Sequence, residues 1–210
     1  MKKLILTLVV VFAVFSAQSQ NQYEQGMNKA FALWKEGNPT EAVALFERIA
    51  SAEKNNWLPN YYVAFVNITT AFQVMNDNEQ LTPLLNKAQE TLDMELIKDP
   101  NNAELLVLQA LIYTAWISSD PMKNGMKLSG KVMELYSKAE KLAPNNPRVV
   151  FGKAEFEIGG ARYFKQDTSA MCGQIDKAIA LFSTFKPESV FHPNWGLDRA
   201  LEAQKKCAKK

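Results

Sequence analysis

The chain has 210 residues, with 24 Lys and Arg against 22 Asp and Glu, one histidine and two cysteines. So near a charge balance leaves no basic surface of the depth that nucleic acid requires, and one histidine with two cysteines does not furnish a zinc site. That histidine, His192, stands in Phe191-His192-Pro193 with no carboxylate or cysteine cluster beside it, so neither a metal nor another cofactor is expected.

Met1-Lys2-Lys3 is a short basic head, and Leu4 to Phe15 is apolar except for Thr7. This is the order of a secretory signal peptide. The apolar run is shorter than the ~18 residues of a spanning helix, and no other stretch approaches that length, so no membrane span is expected in the mature chain. Ala17 and Ser19 supply the small residues that signal peptidase reads, which places the cut before Gln20. The expected division is a leader at 1–19 and one exported domain, periplasmic or secreted, at 20–210. Losing Lys2 and Lys3 leaves 22 basic residues against 22 acidic ones.

Beyond the leader, apolar residues recur at helical spacing and strand alternation is missing. Helices are predicted at 22–36, 40–54, 58–75, 79–98, 103–118, 122–142, 147–164, 171–185 and 194–208. Asn38-Pro39-Thr40 turns the chain after Gly37, with Asn38 or Thr40 able to cap the next helix. Asp99-Pro100-Asn101-Asn102 and Ala143-Pro144-Asn145-Asn146-Pro147 act alike, proline stopping one helix and asparagine capping the next.

These two stops are near copies, and the helices between them repeat too. Ala30, Ala64, Ala110, Ala154 and Ala200 each fall near the middle of a first helix, where a second helix needs a small residue to cross closely. Ala30, Gly37, Ala42 and Phe46 follow the order and spacing of a tetratricopeptide repeat, and the segment resembles that family. Leu106, Ala110 and Tyr113 resemble a first helix, Tyr136, Ala139 and Pro144 the end of a repeat, and Ala178 and Phe182 a second helix. The resemblance implies an all-α solenoid of about four helical hairpins closed by a C-terminal cap helix at 194–208. Only the first repeat has the family's length. Later ones carry extra residues, expected in longer helices or in turns looped out at 118–125 and 165–169.

A search for chemistry returns little. There is no G-x-S-x-G, no His-Glu-x-x-His and no phosphate loop, so an enzyme is not expected. Glu155 and Glu157 point to different sides of a helix. Gly159-Gly160 is expected at a close helix contact or a bend. By the family's pattern, the inner face that holds extended peptides is lined here by Met27, Phe31, Trp34, Tyr61, Phe65, Val107, Leu111, Arg148, Phe151 and Glu155. The same aromatic stripe is open to a second reading, as core. Phe31, Phe65, Leu111 and Glu155 stand where asparagine would hold a partner's terminal carboxylate, so such a clamp is not expected.

Two readings of function follow: a non-enzymatic module that binds a protein or peptide through its concave face, or a structural component of the envelope that acts by self-association. Cys172 and Cys207 are brought together if the last two helices pack antiparallel, and then form a disulfide. They serve equally as small buried residues.

Overall fold

The computed structural model describes residues 20–207. Among them nine helices and no strand occur: α1 (20–35), then α2 (Pro39–Ala52), α3 (Leu58–Gln73), α4 (Asn78–Lys98), α5 (Ala103–Ser119), α6 (Pro121–Leu142), α7 (Pro147–Tyr163), α8 (Ser169–Thr184) and α9 (Leu197–Cys207). The expected leader and its cleavage site fall on or against residues outside the described range. The helices pack in consecutive pairs, and all observed ends lie within three residues of those predicted from sequence.

The ends hold because the chain supplies partners for the N–H groups that a helix start leaves unpaired. Asn102 accepts from the backbone of Glu104 and Leu105, Asn146 from Arg148, Asp77 from Glu79 and Gln80, and Asp120 from Lys123. Each such cap contributes about 1 kcal/mol. The expected cap on α2 is not made: Asn38 occupies the cap position without a side-chain hydrogen bond, Thr40 lies inside the helix, and Pro39 alone starts it. The turn at 118–125 is not looped out either. α5 and α6 are separated by Asp120 only, and the extra residues lengthen α6 to 22.

The chain divides within α3 into two compact units, the boundary lying after Val66. In the first, the small residues of the repeat pattern, Ala30, Ala42 and Ala64, are fully buried. Around them, Phe31 meets Phe46 edge-on at 5.3 Å and Tyr62 at 4.6 Å, Phe46 stacks on Tyr62 at 5.5 Å, and Trp34 meets Phe65 edge-on at 5.6 Å. Edge-on and offset pairs of this kind contribute about 0.5–1.5 kcal/mol each beyond their burial.

The second unit is organised on α5, which packs against α4, α6 and α7; α7 continues to α8, and α8 to α9. The apolar face expected of α5 extends round the whole helix, and every residue from Glu104 to Ile112 is buried. Ala110, Ala154 and Ala200, the small residues of successive first helices, are buried to within 1%.

The tightest crossing was not legible as such. A Cβ on Gly152 of α7 would stand 2.6 Å from the Tyr136 hydroxyl of α6, whereas one on Gly159 or Gly160 would meet nothing. The glycine doublet therefore lies on open helix surface, and Gly152 is the close contact. Tyr136 is fully buried and has no room to yield. Gly152→Ala is expected to lose about 1–3 kcal/mol by overpacking, read as a lower urea midpoint. An unchanged midpoint would contradict this register of α6 on α7.

Candidate functional site

The residues that the repeat resemblance placed on a ligand-binding face divide by burial. Met27, Tyr61, Phe65, Val107, Leu111, Arg148 and Phe151 are buried, and only Phe31, Trp34 and Glu155 retain partial exposure. Most of the aromatic stripe is thus core: in the first unit the rings of α1 and α3 pack on one another, and in the second α5 packs on α7. Glu155, Arg148 and Phe151 belong to the second unit, and there the structure shows what their positions do.

Glu104 and Arg148 are 44 residues apart, and so are Glu155 and Arg199. For Glu104 and Arg148 this is the spacing of the Pro100 and Pro144 stops, and both stand six residues before the small residue of their helix, so this pair joins equivalent positions on neighbouring first helices. At the starts of α5 and α7 the Glu104 carboxylate accepts from Arg148 Nε at 2.8 Å and Nη2 at 2.6 Å, and from Asn146 Nδ2 at 2.6 Å. Both charged side chains are almost fully buried. Arg148 Nη1 is buried without a hydrogen-bond partner and the guanidinium lies 4.5 Å from the centre of the Phe185 ring, whose π face takes part of the charge.

His192 completes this cluster. Its Nε2 lies 3.8 Å from Glu104 Oε1 and its Nδ1 3.8 Å from Glu188. Burial, aided by Arg148 and opposed by the two carboxylates, pushes its pKa below the ordinary 6.5. The unfolded chain therefore takes up this proton at higher pH than the folded one. Stability from neutral His192 is fully present above pH 6.5 and is lost as pH falls through 6.5 towards the depressed folded value. Urea midpoints measured from about pH 7.5 to about pH 5 should fall more steeply for the wild type than for His192→Gln; parallel curves would contradict a buried neutral imidazole.

Further along α7 a groove lies between α7 and α9, with a volume of about 290 Å³. Ile158, Gly159 and Ala203 form its apolar part, and the charged side chains of Glu155, Arg162, Arg199, Glu202 and Lys206 make the rest of the lining. Glu155 holds Arg199 at 2.6 Å, and Glu202 lies 3.5 Å from Lys206. Arg162 is exposed and has no partner among the described residues, so the groove carries one cation in excess. Its volume stands at the lower end of ligand pockets, roughly 300–1,000 Å³. Of the residues expected on the binding face, only Glu155 lines it. Gly159 was expected at a helix contact instead, and nothing local in the sequence marks Ile158, Arg162, Arg199, Glu202 or Ala203 as a site.

The groove is held at its α9 side by local devices. Gly196, with φ of 112°, turns the chain into α9, and a Cβ there would stand 2.8 Å from the Phe182 ring. Cys172 of α8 and Cys207 of α9 are joined as a disulfide, their Cα atoms 5.9 Å apart. Among the described residues no group of three or more His, Cys, Asp or Glu is placed to hold a metal ion, and no helix is long and apolar enough to cross a membrane.

Paired helices, a small residue at each crossing and equivalent side chains meeting at one repeat's distance define a helical repeat protein of the tetratricopeptide-like class. No protein-family model and no curated protein matches the chain. Among solved structures it is similar to the HusA haemophore from Porphyromonas gingivalis, with 22% identity, 88% of this chain and 92% of that chain covered, and a TM-score of 0.68. It is also similar to TTC0263, a thermophilic tetratricopeptide-repeat protein of Thermus thermophilus, with 13% identity, 89% and 98% covered, and a TM-score of 0.57.

Proposed function

We propose that this chain is an exported, non-catalytic binding protein that carries a flat, apolar, carboxylated molecule, a porphyrin such as haem, in the groove between α7 and α9. The observation that carries this reading is the chemistry of the groove: a small apolar floor of Ile158, Gly159 and Ala203 framed by charged side chains with one cation in excess, in a chain whose fold matches that of a haemophore over nearly its whole length. Arg162, Arg199 and Lys206 are the partners for the ligand's carboxylates, and Ile158, Gly159 and Ala203 receive its ring. Gly159 leaves bare helix surface on which a plane can lie. The disulfide fits an oxidising compartment and thus export.

None of the residues that line the groove is His, Cys, Tyr or Met. Retention therefore rests on the ring and the carboxylates rather than on an iron ligand. Titration of the mature protein with haem and with metal-free protoporphyrin should give saturable absorbance changes of similar affinity. Arg162→Gln combined with Arg199→Gln should weaken both at least about tenfold, the loss of roughly 1.4 kcal/mol of charge-assisted contact. No saturable change with either ligand would overturn the reading.

A peptide ligand is the second reading, supported by the tetratricopeptide-like fold and by Phe31 and Trp34, which keep partial exposure in the first unit. It expects Trp34 fluorescence to respond to the partner while porphyrin leaves the groove empty. A structural role expects self-association of the pure chain in sedimentation.

A further inference from the structure

The largest anomaly on the surface of the second unit lies away from the groove lining. Met126 is 98% exposed, Met122 84%, Phe164 69% and Tyr163 57%. They are one patch: Met122 and Met126 are one turn apart on α6, the Tyr163 hydroxyl lies 3.7 Å from Met122 Sδ, and the Tyr163 and Phe164 rings meet edge-on at 5.2 Å. At ~200 Å² for each large side chain the exposed apolar area is roughly 600 Å², the upper end of what a soluble monomer shows without a partner.

Charge is segregated around it. The segments 118–131 and 157–167 hold Lys123, Lys127, Lys131, Arg162 and Lys165 against Asp120, Glu157 and Asp167, a basic excess where the whole chain has 24 basic and 22 acidic residues, and Asp167 is engaged by Ser169. Asp120 is engaged as the cap of α6. Lys123 and Lys127 are exposed one position beyond each methionine, so α6 opens with an apolar column beside a basic one.

We propose that this patch docks the protein on an anionic membrane surface. Methionine and phenylalanine side chains enter the headgroup boundary, Tyr163 sits at the level of the headgroups, and Lys123, Lys127 and Lys165 face the lipid phosphates. A lipid leaflet suits these side chains better than a protein partner. Side chains that stand almost wholly clear of their own surface need a matching pocket in a folded partner, but fluid acyl chains close around them without one. The proposal is independent of what the groove carries.

Co-sedimentation of the exported, mature protein with vesicles of phosphatidylcholine, alone and mixed with phosphatidylglycerol, tests it. Binding is expected to the mixed vesicles, at least about tenfold stronger than to phosphatidylcholine alone, and to weaken as salt is raised from about 50 to about 500 mM. Met122→Ser with Met126→Ser, and separately Lys123→Gln with Lys127→Gln, should each lower it at least about fivefold with the thermal melt unchanged, since all four positions are exposed. Failure to bind mixed vesicles, equal binding to neutral ones, or binding that both double variants retain would each overturn the proposal.

Discussion

Glu104→Ala is expected to lose about 3–5 kcal/mol of folding stability, because it strands the Arg148 guanidinium in the interior. The magnitude follows from burial. The two side chains are 4% and 0% exposed, the carboxylate receives three donors from Arg148 and Asn146, and Arg148 Nη1 already lacks a partner. With the acid removed, Arg148 loses its carboxylate partner, and the Phe185 ring is left as the group that lies against the charge. The double variant Glu104→Met with Arg148→Leu should recover much of the loss, since replacing both members of a buried pair by apolar groups is often close to neutral. Urea unfolding at about pH 7 of the wild type, Glu104→Met, Arg148→Leu and the double variant measures the coupling, with Glu104→Ala alongside. A single-variant loss below ~1 kcal/mol, the scale of an exposed pair, would contradict the buried geometry.

Opening the Cys172–Cys207 disulfide is the second large perturbation. The bond closes a loop with a sequence separation of 35, for which the chain-entropy model gives about 4 kcal/mol of stabilisation. It matters at this place because α9 is an end helix of 11 residues, too short to persist by its own propensity. It is kept by packing Ala200 and Ala203 on α7 and α8, and by the bond itself. Cys172→Ser with Cys207→Ser should therefore lower the thermal midpoint by several degrees and expose the end of the chain to protease before the rest. If the groove is the binding site, the same variant should weaken porphyrin binding, because Arg199 and Lys206 ride on α9. Two titratable thiols in the unreduced, exported protein would sink both expectations.

Helix positions were legible in the sequence because they are local decisions. A proline that cannot continue a helix and an asparagine that caps the next act within a few residues, so ends read from Pro100, Asn102, Pro144 and Asn146 agree with the structure. The repeat register was legible too: a small residue is needed wherever two helices cross closely, and the five alanines spaced through the chain all lie in the core. The extra residues of α6 and the failed cap at Asn38 show the reach of such rules, since more than one local solution satisfies them.

Burial of the aromatic stripe, the Glu104–Arg148 pair and the groove were decided only by tertiary structure. A helix that is apolar on one face and one buried all round begin from similar sequences; α5 became the second kind because α4, α6 and α7 all pack on it. Glu104 and Arg148 read as two unrelated surface charges until one repeat's length brings them side by side. The groove is made by residues more than 35 positions apart on α7 and α9, which only the packing of both helices with α8 brings together. Gly152 makes the same point at the scale of one atom: nothing in its neighbours along the chain marks it apart from Gly159, and only the Tyr136 ring on another helix decides which glycine has no room for a methyl group.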